Sequence, residues 1–257
     1  MEVHLNTGPE LTALRETGFY KILRPYLKDR ATALGLGADF LVRDEDDPKL
    51  TPADRFYFGF EFILSDLFRN VRTRLWIKTE LQRMTETDGV DAVGSHFLYR
   101  AYLNELVVIQ ERLQRMIALL KKGLGLPVFI QQCEMDVLQF FHPLLFEKRN
   151  LNHHGLYLGY ARAPEIERLL ERGTQAAALQ HFRTAMTEEI AWLNYTEQAF
   201  AKFLPGFLDR LHQQLRLGER YVEPTRLPVD FHLETRLEGN LRRKHDHAEV
   251  YRQANGG

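Results

Sequence analysis

The sequence predicts an all-α protein: a bundle of four long helices over residues 51–217, with a loop-rich N-terminal arm (1–50) and a C-terminal tail (218–257). Three observations predict it. Apolar residues recur at steps of three and four over long stretches, strand-like alternation is nearly absent, and no internal repeat interrupts the pattern.

In the arm, Glu10 to Leu27 has the makings of a short helix, broken by Pro25. Gly35-Leu36-Gly37 and Asp44-Glu45-Asp46-Asp47-Pro48 then read as loop, the acidic run as a solvated one. Thr51-Pro52-Ala53-Asp54 starts a helix, with a hydroxyl at the N-cap, proline at the first position and an acid in the first turn. Phe60, Leu64, Leu67, Val71 and Leu75 give it one apolar face, and it ends between Met84 and Gly89. Its many aromatics, from Phe56 to Trp76, suggest a thick core, with a stacking platform for bases as the sharper alternative.

Asp91 or Ser95 caps a second long helix whose seam is Tyr102, Leu106, Ile109, Leu113, Met116 and Leu120. Lys121 and Lys122 suit its last carbonyls, and Gly123 and Gly125 end it. A third helix opens at Pro127, with Val128, Ile130 or Cys133, Val137, Leu138, Phe141, Leu144 and Leu145 as its core. Pro143 predicts a kink or restart there. A short helix from Pro164 to Arg172 stops at Gly173. Thr174 then caps the last long helix, which Pro205-Gly206 is expected to kink or split. The tail, with Arg242-Arg243-Lys244-His245, reads as irregular or helical and of low order.

Composition narrows the function classes. Among 257 residues, 34 basic against 35 acidic side chains create no overall field toward nucleic acid, so polyanion contact requires a local patch. One cysteine, Cys133, excludes an intramolecular disulfide and a multi-cysteine zinc site; its place in an apolar helix marks it as core. No basic-then-apolar leader opens the chain, and no apolar run nears the roughly 20 residues of a membrane span. A cytoplasmic protein is the expectation. Glu-x-x-His pairs for a di-iron bundle, Gly-x-Ser-x-Gly elbows and phosphate loops are absent. His142, His153 and His154 are the remaining metal candidates, with Pro143 an awkward neighbour for a ligand. Glu188-Glu189 reads as a solvated face.

The stretch that carries chemistry is Glu147-Lys148-Arg149-Asn150-Leu151-Asn152-His153-His154, at the end of the third long helix. Arginine is a permanent cation whose fork suits phosphate, and histidine exchanges protons near neutrality. Together they permit metal-free phosphodiester chemistry. With 25 arginines and 10 histidines in the chain, about one Arg-x4-His match arises by chance, and Arg242 with His247 is another. Asn150 directly after Arg149 lowers that expectation to about 0.03. On a helix Arg149 and His153 share a face, and local fraying would let either histidine turn toward the guanidinium. A cationic helix end is the plain structural alternative.

Arg149-Asn150-x-x-x-His154 at the end of a third bundle helix resembles the signature of HEPN domains. The resemblance implies a metal-independent endoribonuclease of toxin–antitoxin or defence systems, working without cofactor as a homodimer that assembles one composite site. An antitoxin or other regulatory protein is the implied partner. By the same resemblance Arg149 stabilises charge on the scissile phosphate, and His154 acts as general base or acid. Asn150 then positions one of them or binds phosphate, and the products are a 2′,3′-cyclic phosphate and a 5′-hydroxyl; Glu147 and His153 are candidate helpers that the motif itself does not require. Family members without catalysis bind nucleotides or RNA. The alternative reading is therefore a non-catalytic helical module for nucleotide, RNA or a protein partner.

Overall fold

A computed structural model describes residues 9–36, 50–87, 89–153 and 158–224, with the backbone alone at 9, 92, 146–153 and 158–164. The described chain is all-α apart from one two-stranded hairpin. Its helices are α1 (Pro9–Arg15), a π-helical turn (Phe19–Leu23), α2 (Arg24–Ala33), α3 (Pro52–Glu86), α4 (Ala92–Gly123), α5 (Pro127–His153), α6 (Leu158–Glu171) and α7 (Gln175–Leu215). α3 lies along α4 and touches α7, α4 lies along α5, and α6 lies along α7.

Local chemistry sets the helix starts. Thr51 and Asp54 form a reciprocal capping box: the Thr51 hydroxyl accepts from the Asp54 N–H (3.1 Å), and the Asp54 carboxylate accepts from the Thr51 N–H (3.0 Å). Asp91, rather than Ser95, caps α4 by accepting from the Gly94 N–H at 2.7 Å. Thr174 stands at the N-cap of α7, but its hydroxyl donates back to the Leu169 carbonyl (2.8 Å) instead of capping.

The predicted faces are buried. Every residue of the α4 seam from Tyr102 to Leu120 is inaccessible, and Phe60, Leu64, Leu67 and Val71 of α3 are buried, but Leu75 at the end of that face is only half-buried. α5 buries Ile130, Cys133, Val137, Phe141, Leu144 and Leu145, but Val128 (81% exposed) and Leu138 (50%) face solvent. Among the described residues the helix packs on α4 and α7, and Leu138 is about 100° round from Val137. Neither proline divides its helix: α5 runs through Pro143 and α7 through Pro205. Apolar anchors lie on both sides of Pro205, with Phe200, Leu204, Phe207 and Leu208 all in the core, so the loss of one backbone donor is absorbed.

The N-terminal arm differs most from expectation, because Pro9–Ala33 is helical almost throughout rather than loop-rich. Leu11, Leu14, Phe19, Leu23, Leu27 and Ala31 are buried in the main core. The five-residue step from Leu14 to Phe19, across Thr17-Gly18, hides the helical period. The chain then widens into a π-turn, closed by the Arg24 N–H donating to the Phe19 carbonyl. That widening comes directly before Pro25, whose ring would crowd the carbonyl four residues back in a regular helix. Gly18 is needed for close approach: its N–H donates to Asp209 Oδ1 (2.7 Å), and a Cβ there would lie 2.2 Å from the His212 ring.

After α7, Arg216–Leu217 pairs antiparallel with Arg220–Tyr221, and the Tyr57 hydroxyl donates to the Val222 carbonyl. The start of the expected tail is therefore fastened to α3. Residues 225–257, the acidic run 44–47 and His154 lie outside the described residues. The Glu188-Glu189 pair is not wholly a solvated face: Glu188 is exposed, but Glu189 is only 2% exposed.

Candidate functional site

The N-terminal segment runs antiparallel to α3, and four contacts fix the register. Arg74 donates to Glu10 (2.5 Å), Tyr20 stacks on Phe68 (5.0 Å between centroids), Arg24 pairs with Glu61 (2.9 Å), and Arg30 holds Asp54 through two bonds (2.7 and 2.9 Å). As the first partner's number rises, the second's falls. This register places one face of α3 opposite α1, the π-turn and the start of α2, with a cleft of about 690 Å³ between them.

One wall is a single helical stripe of α3, spaced by three and four: Glu61, Leu64, Ser65, Phe68, Arg69, Arg72, Thr73 and Trp76. Arg15, Tyr20 and Arg24 form the other. Among the described residues, four arginines thus face one another across the cleft and Glu61 is the carboxylate in its lining, although the whole chain is near neutrality. The local patch that composition left open is here. Its size falls within the range of ligand sites, about 300–1,000 Å³.

The cations are held differently. The Arg24 guanidinium lies over the Tyr20 ring (4.9 Å) while its Nε meets Glu61 Oε1. Glu61 sits behind it, almost fully buried, and also accepts from the Ser65 hydroxyl (3.1 Å). Burial raises the Glu61 pKa above its ordinary value, against the opposing pull of Arg24 and Ser65. Arg69 pairs with Asp66 (3.0 Å), whose second oxygen takes the buried Arg112 (2.7 Å). Arg72 is exposed and makes no such pair among the described residues. Trp76, one turn further along, is 39% exposed and presents its ring at the end of the stripe.

Behind the cleft, Arg74 is sealed in the core with Glu10, Glu197 and Tyr102. Its Nη2 also donates to Glu197 (3.1 Å), whose other oxygen accepts from the Tyr102 hydroxyl (2.8 Å). Burial pushes the Glu10 pKa up to about 8, only partly offset by Arg74. Glu197 feels the same burial, but Arg74 and its hydrogen bonds bring it below the ordinary carboxylate value. The three groups therefore amount to a buried Arg74–Glu197 ion pair beside Glu10, whose carboxyl burial holds well above its ordinary range.

The residues singled out in the sequence lie elsewhere. Glu147, Arg149, Asn150 and His153 are on the last turns of α5, which packs on α4 and α7. Their side chains, and all of His154, lie outside what the structure describes. His142 is exposed on α5, and among the described residues no three His, Cys, Asp or Glu side chains gather where a metal would bind. Cys133 is buried, its thiol pushed up to about 11 by desolvation, as suits a core residue.

The aromatics of α3 divide between the two readings. Phe56, Tyr57, Phe58 and Phe60 are core, whereas Phe68 and Trp76 belong to the cleft. The polar stripe around Arg69 and Arg72 was open to detection as the complement of the apolar face. Arg15 and Arg24 left no such signal, because only the antiparallel register brings them to α3. No family model matches the chain, and no curated protein or solved structure matches it either.

Proposed function

We propose that this chain is a helical module that binds a ligand carrying both phosphate and base, a nucleotide or RNA, in the cleft between its N-terminal segment and α3. One observation carries the reading: four arginines and the rings of Tyr20, Phe68 and Trp76 line one cavity in a chain of net charge −1. Guanidinium forks match phosphate oxygens, and the exposed ring of Trp76 offers a base a stacking surface that ignores sequence. The chemistry needed is binding. Equilibrium binding of short RNAs and nucleotides at low and high salt tests this. Affinity that falls with salt and is lost in an Arg69→Ala/Arg72→Ala variant supports it; binding unaffected by that variant refutes it.

A second reading is a HEPN-type, metal-independent endoribonuclease, a cytoplasmic homodimer of a toxin–antitoxin or defence system. Supporting it is the helical backbone of α5 through Glu147, Arg149, Asn150 and His153, which keeps Arg149 and His153 one turn apart. In this reading Arg149 stabilises charge on the scissile phosphate and His154 moves the proton. Mixed RNAs incubated in EDTA test it. Cleavage abolished by Arg149→Ala and by His154→Ala is the expected result, and intact RNA rules out catalysis while leaving the binding function in place.

A further inference from the structure

Resting on the binding function proposed for the cleft, we infer that its occupant is an extended single-stranded RNA segment of several nucleotides, and not a free mononucleotide. The argument is one of length and order. The α3 stripe runs from Glu61 to Trp76, which on a helix rising 1.5 Å per residue is about 22 Å. A strand advances by about 3.4 Å per charge when stacked, and by more when extended, so this floor spans several nucleotide steps. A mononucleotide would occupy one end of it.

The order of side chains along the floor has the same consequence. At one end Arg24 is clamped between Tyr20 and Glu61, and next comes the Tyr20–Phe68 stack. Arg69 and Arg72 follow on the same face. The register set by Glu10–Arg74 and Tyr20–Phe68 puts Arg15 opposite this part of α3. Trp76 closes the row, its ring accessible. Aromatic surface therefore occurs on both sides of an arginine group, separated by the eight residues from Phe68 to Trp76, about 12 Å. A ligand with one base and one phosphate group cannot engage both rings. A strand can, with its backbone on the arginines and non-adjacent bases at the rings. Because stacking ignores base identity, the cleft should tolerate sequence.

The test is competition by length. A 5′-labelled twelve-nucleotide oligoadenylate is bound to the full chain in EDTA, with fluorescence anisotropy as the readout. AMP, ApA and oligoadenylates of four, six and eight nucleotides compete. Affinity is expected to rise at least tenfold from AMP to the hexamer and then level off. Trp76→Ala should weaken the hexamer about tenfold. Arg72→Ala should make the salt dependence of hexamer binding shallower, its log–log slope falling in magnitude by about 0.7. Thermal melts of both variants establish that they fold, and the exposed Arg72 serves where Trp76→Ala does not. AMP competing as well as the hexamer overturns the extended-strand inference while the nucleotide-binding function stands. If neither AMP nor any oligomer binds, both fail.

Discussion

The guanidinium of Arg74, wholly buried, donates to the carboxyl of Glu10, 64 positions earlier in the chain and 2% exposed. This contact locks α1 onto α3 at one end of the cleft, and the bidentate Arg30–Asp54 pair does the same at the other.

Glu10 makes stability depend on pH. Its pKa rises on folding from an ordinary 4.5 to about 8, because burial outweighs the attraction of Arg74. The folded chain therefore holds a proton that the unfolded chain has lost between those values. Stabilisation is complete below about pH 4.5, declines as pH rises, and is gone above about 8. Urea unfolding from pH 5 to 9 should show a decline on the order of a few kcal/mol. Glu10→Gln, which cannot ionise, should flatten it. An equal slope in the variant would assign the effect to another group.

Asp54 has the opposite sign. Burial raises its pKa, but Arg30 and the Thr51 cap together bring it below the ordinary carboxylate range. Its contribution is present above about pH 4 and is lost as pH falls through the lowered pKa. Asp54→Asn removes the charge that Arg30 pairs with and weakens the acceptor for the Thr51 N–H, while the backbone N–H that Thr51 caps remains. A cost of about 1–3 kcal/mol at pH 7 is expected, shrinking as pH falls through the lowered pKa of Asp54.

Gly123, at the end of α4, leaves no room for a side chain. A Cβ there would lie 2.3 Å from the ring of Phe56, which is itself fully buried. Gly123→Ala should lower stability by about 1–3 kcal/mol through overpacking, despite alanine's better helix propensity. Phe56→Leu in the same chain should recover part of that loss, and a thermal-melt double-mutant cycle measures the coupling.

Glu61 opposes polyanions in the cleft when ionised. Its raised pKa means that it neutralises at a higher pH than an exposed glutamate. Glu61→Gln should tighten RNA binding several-fold at pH 8. The advantage should shrink as pH falls and the native Glu61 itself takes up a proton, which binding curves at pH 5 and 8 will decide.

Cys133 should be inert in the folded state. Its thiol is buried and its pKa is raised to about 11, so little thiolate exists at neutral pH. Thiol-reactive dye should label it at the rate of unfolding, rising steeply in urea. Rapid labelling of native protein would contradict its core placement.

The long helices were legible because each carries its own instructions. The capping box at Thr51 and Asp54, the Asp91 cap and the seam from Tyr102 to Leu120 are local patterns that hold wherever the helix docks. The same locality explains the errors. Pro143 and Pro205 carry real breaking tendencies, but packing on either side overrode them. Val128 and Leu138 fit the helical period without being covered.

The sequence by itself therefore determined the helical class, the long helices and which of their faces are apolar. It also marked Arg149, Asn150 and His154 as a candidate phosphodiester site. Only the tertiary structure decided the cleft. Arg15, Tyr20 and Arg24 are some fifty residues distant in the chain from Arg69, Arg72 and Trp76, and no periodicity links them. They meet because the contacts from Glu10–Arg74 to Arg30–Asp54 fix an antiparallel register between two segments. Such pairing is a property of packing, and a one-dimensional pattern carries only the faces that pack.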